Sequence, residues 1–463
     1  MSKSSDALGR IALVFCAATG IARADPDPVR PAIAFNRWEE DWSVLADPRL
    51  RTEPLDDLKY IPLGTDPMSY LSLGLNLRER YEQNDAAGFG TRNAPAANYV
   101  ISRLETHADL HLGPVQLFAQ LDSAFAPGKE RLTPVDENRL DLEQAFAAYV
   151  TPVADGVMKL RLGRQEMGFD LQRFVAVRDG PNVRQAFDAA WADYESGLWR
   201  FIGFYSQPVQ DRNLRAFDDY SNGHLTYGGV RLERGDVGPG QVSAYYSQYR
   251  QDGAKFLTVQ GNERRDIFDL RYAGGLAGWD WDLEAMGQLG QIANQSIQAW
   301  AFGTLAGYSW SAVVWAPRLG LQFDGASGDG HPHDGRLETF NPLFPNGYYV
   351  TLSGYTGYVN VIHLKPSVTL HPTSSVSLLA AVGLQWRQTT ADAVYTQPNV
   401  PVAGTAGRGG SYTGTYGQLR LDWRATSHVS TAVEAVHFAV ANAIRQVGGH
   451  DSDYLGVELK YGW

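Results

Sequence analysis

YLSLGLNLRERY, residues 70–81, sets Leu71, Leu73, Leu75 and Leu77 on one side of an extended chain. Ser72, Gly74, Asn76, Arg78 and Arg80 fall on the other. A period of two belongs to a strand with one oily and one wet face. Residues 100–112 repeat it, with Val100, Leu104, Ala108, Leu110 and Leu112 against Arg103, Glu105, His107, Asp109 and His111. WDWDLEAMGQ (279–288), RLGLQFD (318–324) and GQLRLDWR (417–424) carry the same pattern, and none has the 3.6-residue period of an amphipathic helix.

A soluble sandwich alternates too, so the connections between strands have to separate the two architectures. Reading from residue 70 to the end gives about eighteen candidate strands, among them 309–324 and 355–369. Short connections are expected at 113–114, 151–156, 196–197, 235–240, 274–278, 307–308, 370–373 and near 426. Between them lie long ones at 82–98, 125–140, 166–187, 207–225, 251–264, 325–354, 389–411 and 441–452, with one unexpectedly short link at 290–295. Tight turns on one rim and long loops on the other predict an all-β transmembrane antiparallel β-barrel of the bacterial outer membrane. Its turns would be periplasmic, its loops extracellular, and lipid would surround its oily face. The closing segment YLGVELKYGW places Leu455, Val457, Leu459, Tyr461 and Trp463 on one face, which resembles a C-terminal barrel-assembly signal.

The ends of the chain agree with export. Residues 1–24 combine a basic start, the apolar run IALVFCAATGI and an A-x-A site at Ala22–Ala24, the pattern of a secretory signal peptide. Cys16 lies inside that run, so the mature chain would have no cysteine for disulfides or thiolate metal sites. Residues 25–69, rich in proline and charge, are expected to form a periplasmic extension or plug ahead of the barrel at 70–463.

A barrel of this width has an aqueous interior, so the wet faces line a channel. Of the 40 basic residues 33 are arginine, which presents a fixed fork to carboxylates and stays charged at every relevant pH. The stretch at 163–188, GRQEMGFDLQRFVAVRDGPNVRQAFD, is too long and too charged for a tight turn. It is expected to fold into the lumen as a constriction carrying Arg173, Arg178, Asp179 and Arg184. Arg161 has the inward phase of the preceding strand, whereas Arg164 and Glu166 have the outward phase. Arg78, Arg103 and Arg420 complete the expected arginine lining. The competing reading is that these arginines pair with Asp and Glu and brace the wall.

GRQEMGF (163–169), VRDGPNVRQAFD (177–188), PRLGLQFDGASGDG (317–330) and FNPLFPNGYY (340–349) resemble the alginate-export family of outer-membrane porins. LRTEPLDDLKYIPLG (50–64) and VDENRLDLEQAF (135–146) extend the resemblance. It implies eighteen strands and passage of an anionic polysaccharide or oligosaccharide through an arginine-lined pore. It also implies that Arg164, Glu166, Arg178, Arg184 and Asp188 belong to the constriction, with Arg318 and Asp324 on a facing strand. Gln185 and Ala189 stand where the family pattern would have Arg and Gly.

Two alternatives remain at this level: a porin for small anionic nutrients, and an outer-membrane hydrolase or acyltransferase. The latter lacks any G-x-S-x-G, H-E-x-x-H or P-loop pattern. His107 and His111, four residues apart on a strand, lie about 13 Å apart, too far to share a metal. His331, His333 and Asp334 read as a solvated turn. No cofactor is expected, an acidic exported chain does not suit nucleic acid, and any periplasmic export partner would dock on the short-turn rim.

Overall fold

The computed structural model describes residues 30–91, 96–397 and 399–463, so the expected signal peptide at 1–24 lies outside the described residues. Eighteen long strands make the wall. They are β1 (Ser69–Asn84), β2 (Ala97–Leu112), β3 (Val115–Phe125), β4 (Asn138–Val153), β5 (Gly156–Glu166), β6 (Ala186–Ser196), β7 (Trp199–Gln210), β8 (Leu225–Val237) and β9 (Gly240–Lys255). The second half comprises β10 (Gln260–Leu276), β11 (Trp279–Ile292), β12 (Gln295–Ser309), β13 (Arg318–Ala326), β14 (Val361–Thr373), β15 (Val376–Trp386), β16 (Tyr412–Arg424), β17 (Val429–Val440) and β18 (Ser452–Gly462). Each pairs antiparallel with the next, and β1 closes on β18 from Asn76↔Gly462 to Asn84↔Tyr454. Closure leaves no strand edge to satisfy in the bilayer.

Register follows the oily phase. On β1, Tyr70, Ser72, Arg78, Arg80 and Glu82 are buried toward the interior, and on β2 so are Arg103, Glu105, His107 and Asp109. Outward residues such as Leu104, Leu162, Phe268, Leu270 and Leu419 are exposed on the opposite side. Trp199, Trp279, Trp423 and Tyr461 stand exposed near the short-turn ends, where an aromatic girdle meets the headgroups.

The ends of several elements differ from expectation. The turn expected at 307–308 does not form there, because Tyr308 and Ser309 still pair with Leu319 and Arg318; the chain reverses at 310–317 instead. There Trp315 and Ala316 take positive φ. Strand β14 begins at Val361 and not at 355, since the preceding residues belong to a loop inside the barrel, and it continues through 370–373, which was expected to be a turn. The long loop expected at 251–264 shrinks to 256–259, because β9 and β10 run on as a hairpin beyond the membrane. The short link after β11 is confirmed at 293–294.

Trp463 also leaves its expected face. Its ring is 8% exposed and packs on the Lys59 ammonium, 4.5 Å from the ring centroid, while Leu455, Val457, Leu459 and Tyr461 keep the outward phase. Residues 30–62 explain this, for they lie against the inner wall in short turns. Arg37 donates to Asn76 Oδ1 (2.7 Å) and to the Trp463 carbonyl (2.8 Å), and the Trp38 carbonyl accepts from Gln116. Lys59 lies between the Trp42 and Trp463 rings without a hydrogen bond among the described residues. Burial, with Arg37 adding, pushes its pKa down to about 7.

Two outcomes follow. Leu162, 68% exposed on the lipid side of β5, should not tolerate Arg, which costs about 2–4 kcal/mol at mid-membrane. The heat-modifiable folded fraction should fall for Leu162→Arg and persist for Leu162→Ala; equal folding would mean that this face does not meet lipid. Lys59 has a seated pKa below its free value of about 10.4. Seating of residues 30–62 is therefore tightest above about pH 10, weakens as pH falls toward 7, and levels off below that. Protease sensitivity of this segment should track that window in the wild type and lose the dependence in Lys59→Met.

Candidate functional site

A barrel of eighteen strands is too wide for wall side chains to fill. Residues 167–185, between β5 and β6, cross the interior and are tied to the wall on both sides. On one side Asp170 accepts from Arg231 of β8 (2.7 Å) and Arg271 of β10 (2.8 Å). Arg173, fully buried, pairs with Asp282 (2.8 Å) and Glu284 (2.5 Å) of β11.

On the other side, Arg78 of β1 donates to the carbonyls of Asp179 (2.9 Å), Gly180 (3.1 Å) and Pro181 (3.1 Å). The Asp179 carboxylate takes Arg103 and Lys460 (2.9 Å), and the Asn182 amide donates to the carbonyls of Ser102, Phe125 and Asp136. Arg184 bridges Glu105 (3.0 Å) and Glu166 (3.0 Å). Burial alone would raise the Asp179 carboxyl, but Lys460, Arg103, Arg184 and Arg78 together hold it well below the usual carboxylate range. It stays ionised, and the anchor with it. Removing one partner of such a buried pair costs about 3–5 kcal/mol, because the other charge is stranded.

A second loop, 327–360, lies alongside. Phe344 and the first loop exchange backbone hydrogen bonds, from Ala176 N to Phe344 O (2.8 Å) and from Phe344 N to Phe174 O (2.9 Å). Phe174, Phe187, Phe340, Phe344 and Tyr358 pack between them, with Phe187 and Phe344 centroids 4.9 Å apart. A Cβ on Gly180 would fall 1.8 Å from the Tyr348 ring, so only glycine allows this approach. Tyr349 accepts from Arg173 Nε (2.6 Å) and donates to Asp324 (2.9 Å), linking both loops to β13.

Arg78, Arg103, Glu166 and Arg184 thus meet in one ion-paired network. Arg161 faces the lumen, its guanidinium 4.2 Å from the Trp38 ring centroid. Arg318 pairs with Asp280, and Arg420 with Asp422 and Glu434, both toward the periplasmic ends of their strands. Asp324 is fully buried and holds His363 (2.9 Å) as well as Tyr349. Arg164 and Asp188 are not brought into the constriction: they pair with each other (3.1 Å) on the phase of exposed Leu162 and Ala190. The network partners Asp170, Arg231, Arg271, Asp282 and Glu284 were absent from the expected site.

Arg178 stands apart. It makes no ion pair among the described residues; its contacts are Gln185 Oε1 (3.2 Å) and the Phe344 ring, 5.8 Å from the centroid. Its φ of 56° is the left-handed region, a strained choice for a non-glycine residue. Below it, toward the periplasm, a cavity of about 260 Å³ is lined by charges of both signs, Arg161, Arg200, Arg231 and Arg271 with Glu39, Glu166, Asp170, Asp193 and Glu233, and by Trp38, Phe169 and Trp191.

The family model for alginate export matches residues 69–458. The chain belongs to that family. No curated protein matches it in sequence. In fold it is similar to the outer membrane protein opdK from Pseudomonas aeruginosa, with 11% identity, coverage of 85% of this chain and 98% of that one, and a TM-score of 0.57. It is also similar to a BenF-like porin from Pseudomonas fluorescens Pf-5 (10%, 85% and 99%, 0.56). A third likeness is to Pseudomonas aeruginosa OccK2 (OpdF) in complex with glucuronate (11%, 85% and 96%, 0.53). Family and fold together describe a channel-type β-barrel of the bacterial outer membrane.

Proposed function

We propose that the chain is a passive channel for a carboxylate-bearing saccharide, polymeric or oligomeric and alginate-like, and that Arg178 is the group that reads its charge. The observation that carries this reading is the contrast on one loop: Arg173 and Arg184 are neutralised by carboxylates in ion pairs, while Arg178 makes no ion pair among the described residues. A carboxylate 4 Å from one guanidinium at an effective dielectric near 20 gains about 4 kcal/mol before desolvation. Desolvation and the nearby Asp211 bring the net far below that, which suits conduction, since a site that binds too firmly does not release. The family match supports an alginate-like solute, and the glucuronate in one similar barrel supports a uronic acid.

The second reading, a porin for small anions, is favoured by the 260 Å³ cavity, which suits a single sugar better than a polymer. Under the first reading residues 30–62 act as a plug and must shift during passage. The arginines in ion pairs then serve chiefly to hold the loop. Arg178→Ala should lower anion-over-cation selectivity several-fold and weaken block by uronate oligomers in a folded barrel, with the difference shrinking at 1 M salt, where the Debye length is about 3 Å. Reversal potentials across a salt gradient measure this. Unchanged selectivity and block would remove Arg178 from the role.

A further inference from the structure

The turn that joins β12 to β13 is unlike the others on the short-turn rim. It runs through eight residues, WSAVVWAP (310–317), where every other turn on that rim has two to four. None of the eight is charged, and Arg318, which follows, is turned inward onto Asp280. The base of the turn is held: Trp310 N donates to the Pro317 carbonyl (2.9 Å), and His371 N of β14 donates to the Trp315 carbonyl (2.7 Å). The turn therefore stands on the wall. Trp315 and Ala316 take φ of 66° and 41°, a left-handed stretch that non-glycine residues enter at a cost. Its apolar side chains nevertheless stay uncovered: Val314 is 81% exposed and Trp315 53%, with Val313 and Trp310 exposed beside them.

Single apolar residues on a surface need no account, but four in one turn do. The row that they continue supplies it. On the lipid side of β12, Trp300, Phe302, Thr304, Ala306 and Tyr308 share the outward phase, and Trp310 extends it. The residues from Trp300 to Trp310, at about 3.3 Å each on a strand tilted by about 40°, climb about 25 Å, the height of the lipid-facing band of such a barrel. Ring contacts join the row to the periplasmic girdle, with Trp279 and Tyr308 centroids 5.0 Å apart and those of Tyr308 and Trp310 4.7 Å apart. Trp310 thus stands at the periplasmic edge of the hydrocarbon, and residues 311–316 begin where the headgroups lie.

We propose that residues 310–316 form a lipid anchor, whose tip seats in the headgroup layer of the periplasmic leaflet and pins the β12–β13 edge of the rim there. The partner is a phospholipid surface, and two features favour it over a protein. The exposed patch runs without a break into the lipid-facing girdle through Tyr308 and Trp279. Its four large side chains also fall far short of the roughly 20–30 residues that a stable protein interface takes from each side. The indole of Trp315, an apolar body with one N–H donor, suits a layer that is oily on one side and rich in phosphate and ester oxygens on the other. The anchor does not depend on which solute the channel passes.

The test uses the exported, folded barrel in phospholipid nanodiscs, one barrel to a disc. Cys16 is the sole cysteine of the chain and lies in the expected signal peptide, so an introduced cysteine takes a probe at one place, with the wild type as background. An environment-sensitive fluorophore on Val314→Cys reports the tip. The same fluorophore on Ser427→Cys reports an exposed polar turn of the same rim. Lipids spin-labelled near the headgroup should quench the probe at 314 severalfold more than the probe at 427, and aqueous iodide should quench them in the reverse order. Val313→Asp with Trp315→Asn, asparagine tolerating the left-handed backbone, should open the probe at 314 to iodide and leave heat-modifiability unchanged. Should that variant not fold, the two probes in the otherwise unaltered chain decide the matter. Equal lipid quenching of both probes, shielding of the tip only in discs that hold two barrels, or shielding only after a periplasmic protein extract is added would each overturn the proposal.

Discussion

Every backbone N–H and C=O that crosses a bilayer must find its partner inside the protein, because hydrocarbon offers none. Eighteen two-faced strands meet that demand by closing β1 onto β18. The same closure creates the second problem, an interior too wide for wall side chains. The chain solves it by folding the loops at 167–185 and 327–360, with residues 30–62, against the inner wall. Both apolar packing and charge do the fastening: Phe169, Phe174, Phe340 and Phe344 pack on wall residues such as Phe187, Phe204, Tyr227 and Tyr249, while Asp170, Arg173, Asp179 and Arg184 each reach carboxylates or guanidiniums on strands.

Such fastening changes what an arginine-rich lumen means. A guanidinium held by two carboxylates stabilises geometry more than it attracts a solute, and both readings of the arginines apply, to different residues. Arg78, Arg103, Arg173 and Arg184 brace. Arg178, held in a left-handed backbone conformation and stacked near Phe344, keeps its charge uncompensated by any ion pair among the described residues. The constriction therefore combines an ion-paired frame with one guanidinium on the same loop that makes no ion pair among the described residues.

Strand positions were legible because burial on one side imposes a period of two, and a one-residue slip would turn every charge of a strand to lipid. The phase alone also placed Arg164 outward, on the same side as Leu162, against what the family resemblance implied. It placed Glu166 outward too, but Glu166 is instead buried in the interior, drawn in by Arg184 at the strand's end. Pairing partners were not legible. Asp282 and Glu284 stood on the wet face of WDWDLEAMGQ, but nothing local says that Arg173, more than a hundred residues away in sequence, reaches them. Trp463 shows the same limit: alternation sends it outward, and a cation from Lys59 on another segment draws it in. The turn expected at 307–308 failed because strand pairing outlasts the local turn signal there.

The central claim is that the lumen selects carboxylated saccharides by charge. Single-channel conductance in a planar bilayer, titrated with uronate oligomers and with neutral oligosaccharides of equal length, tests it most directly. The account predicts concentration-dependent block by the uronates that fades at high salt, and little block by the neutral sugars. Equal block by both, independent of salt, would contradict it.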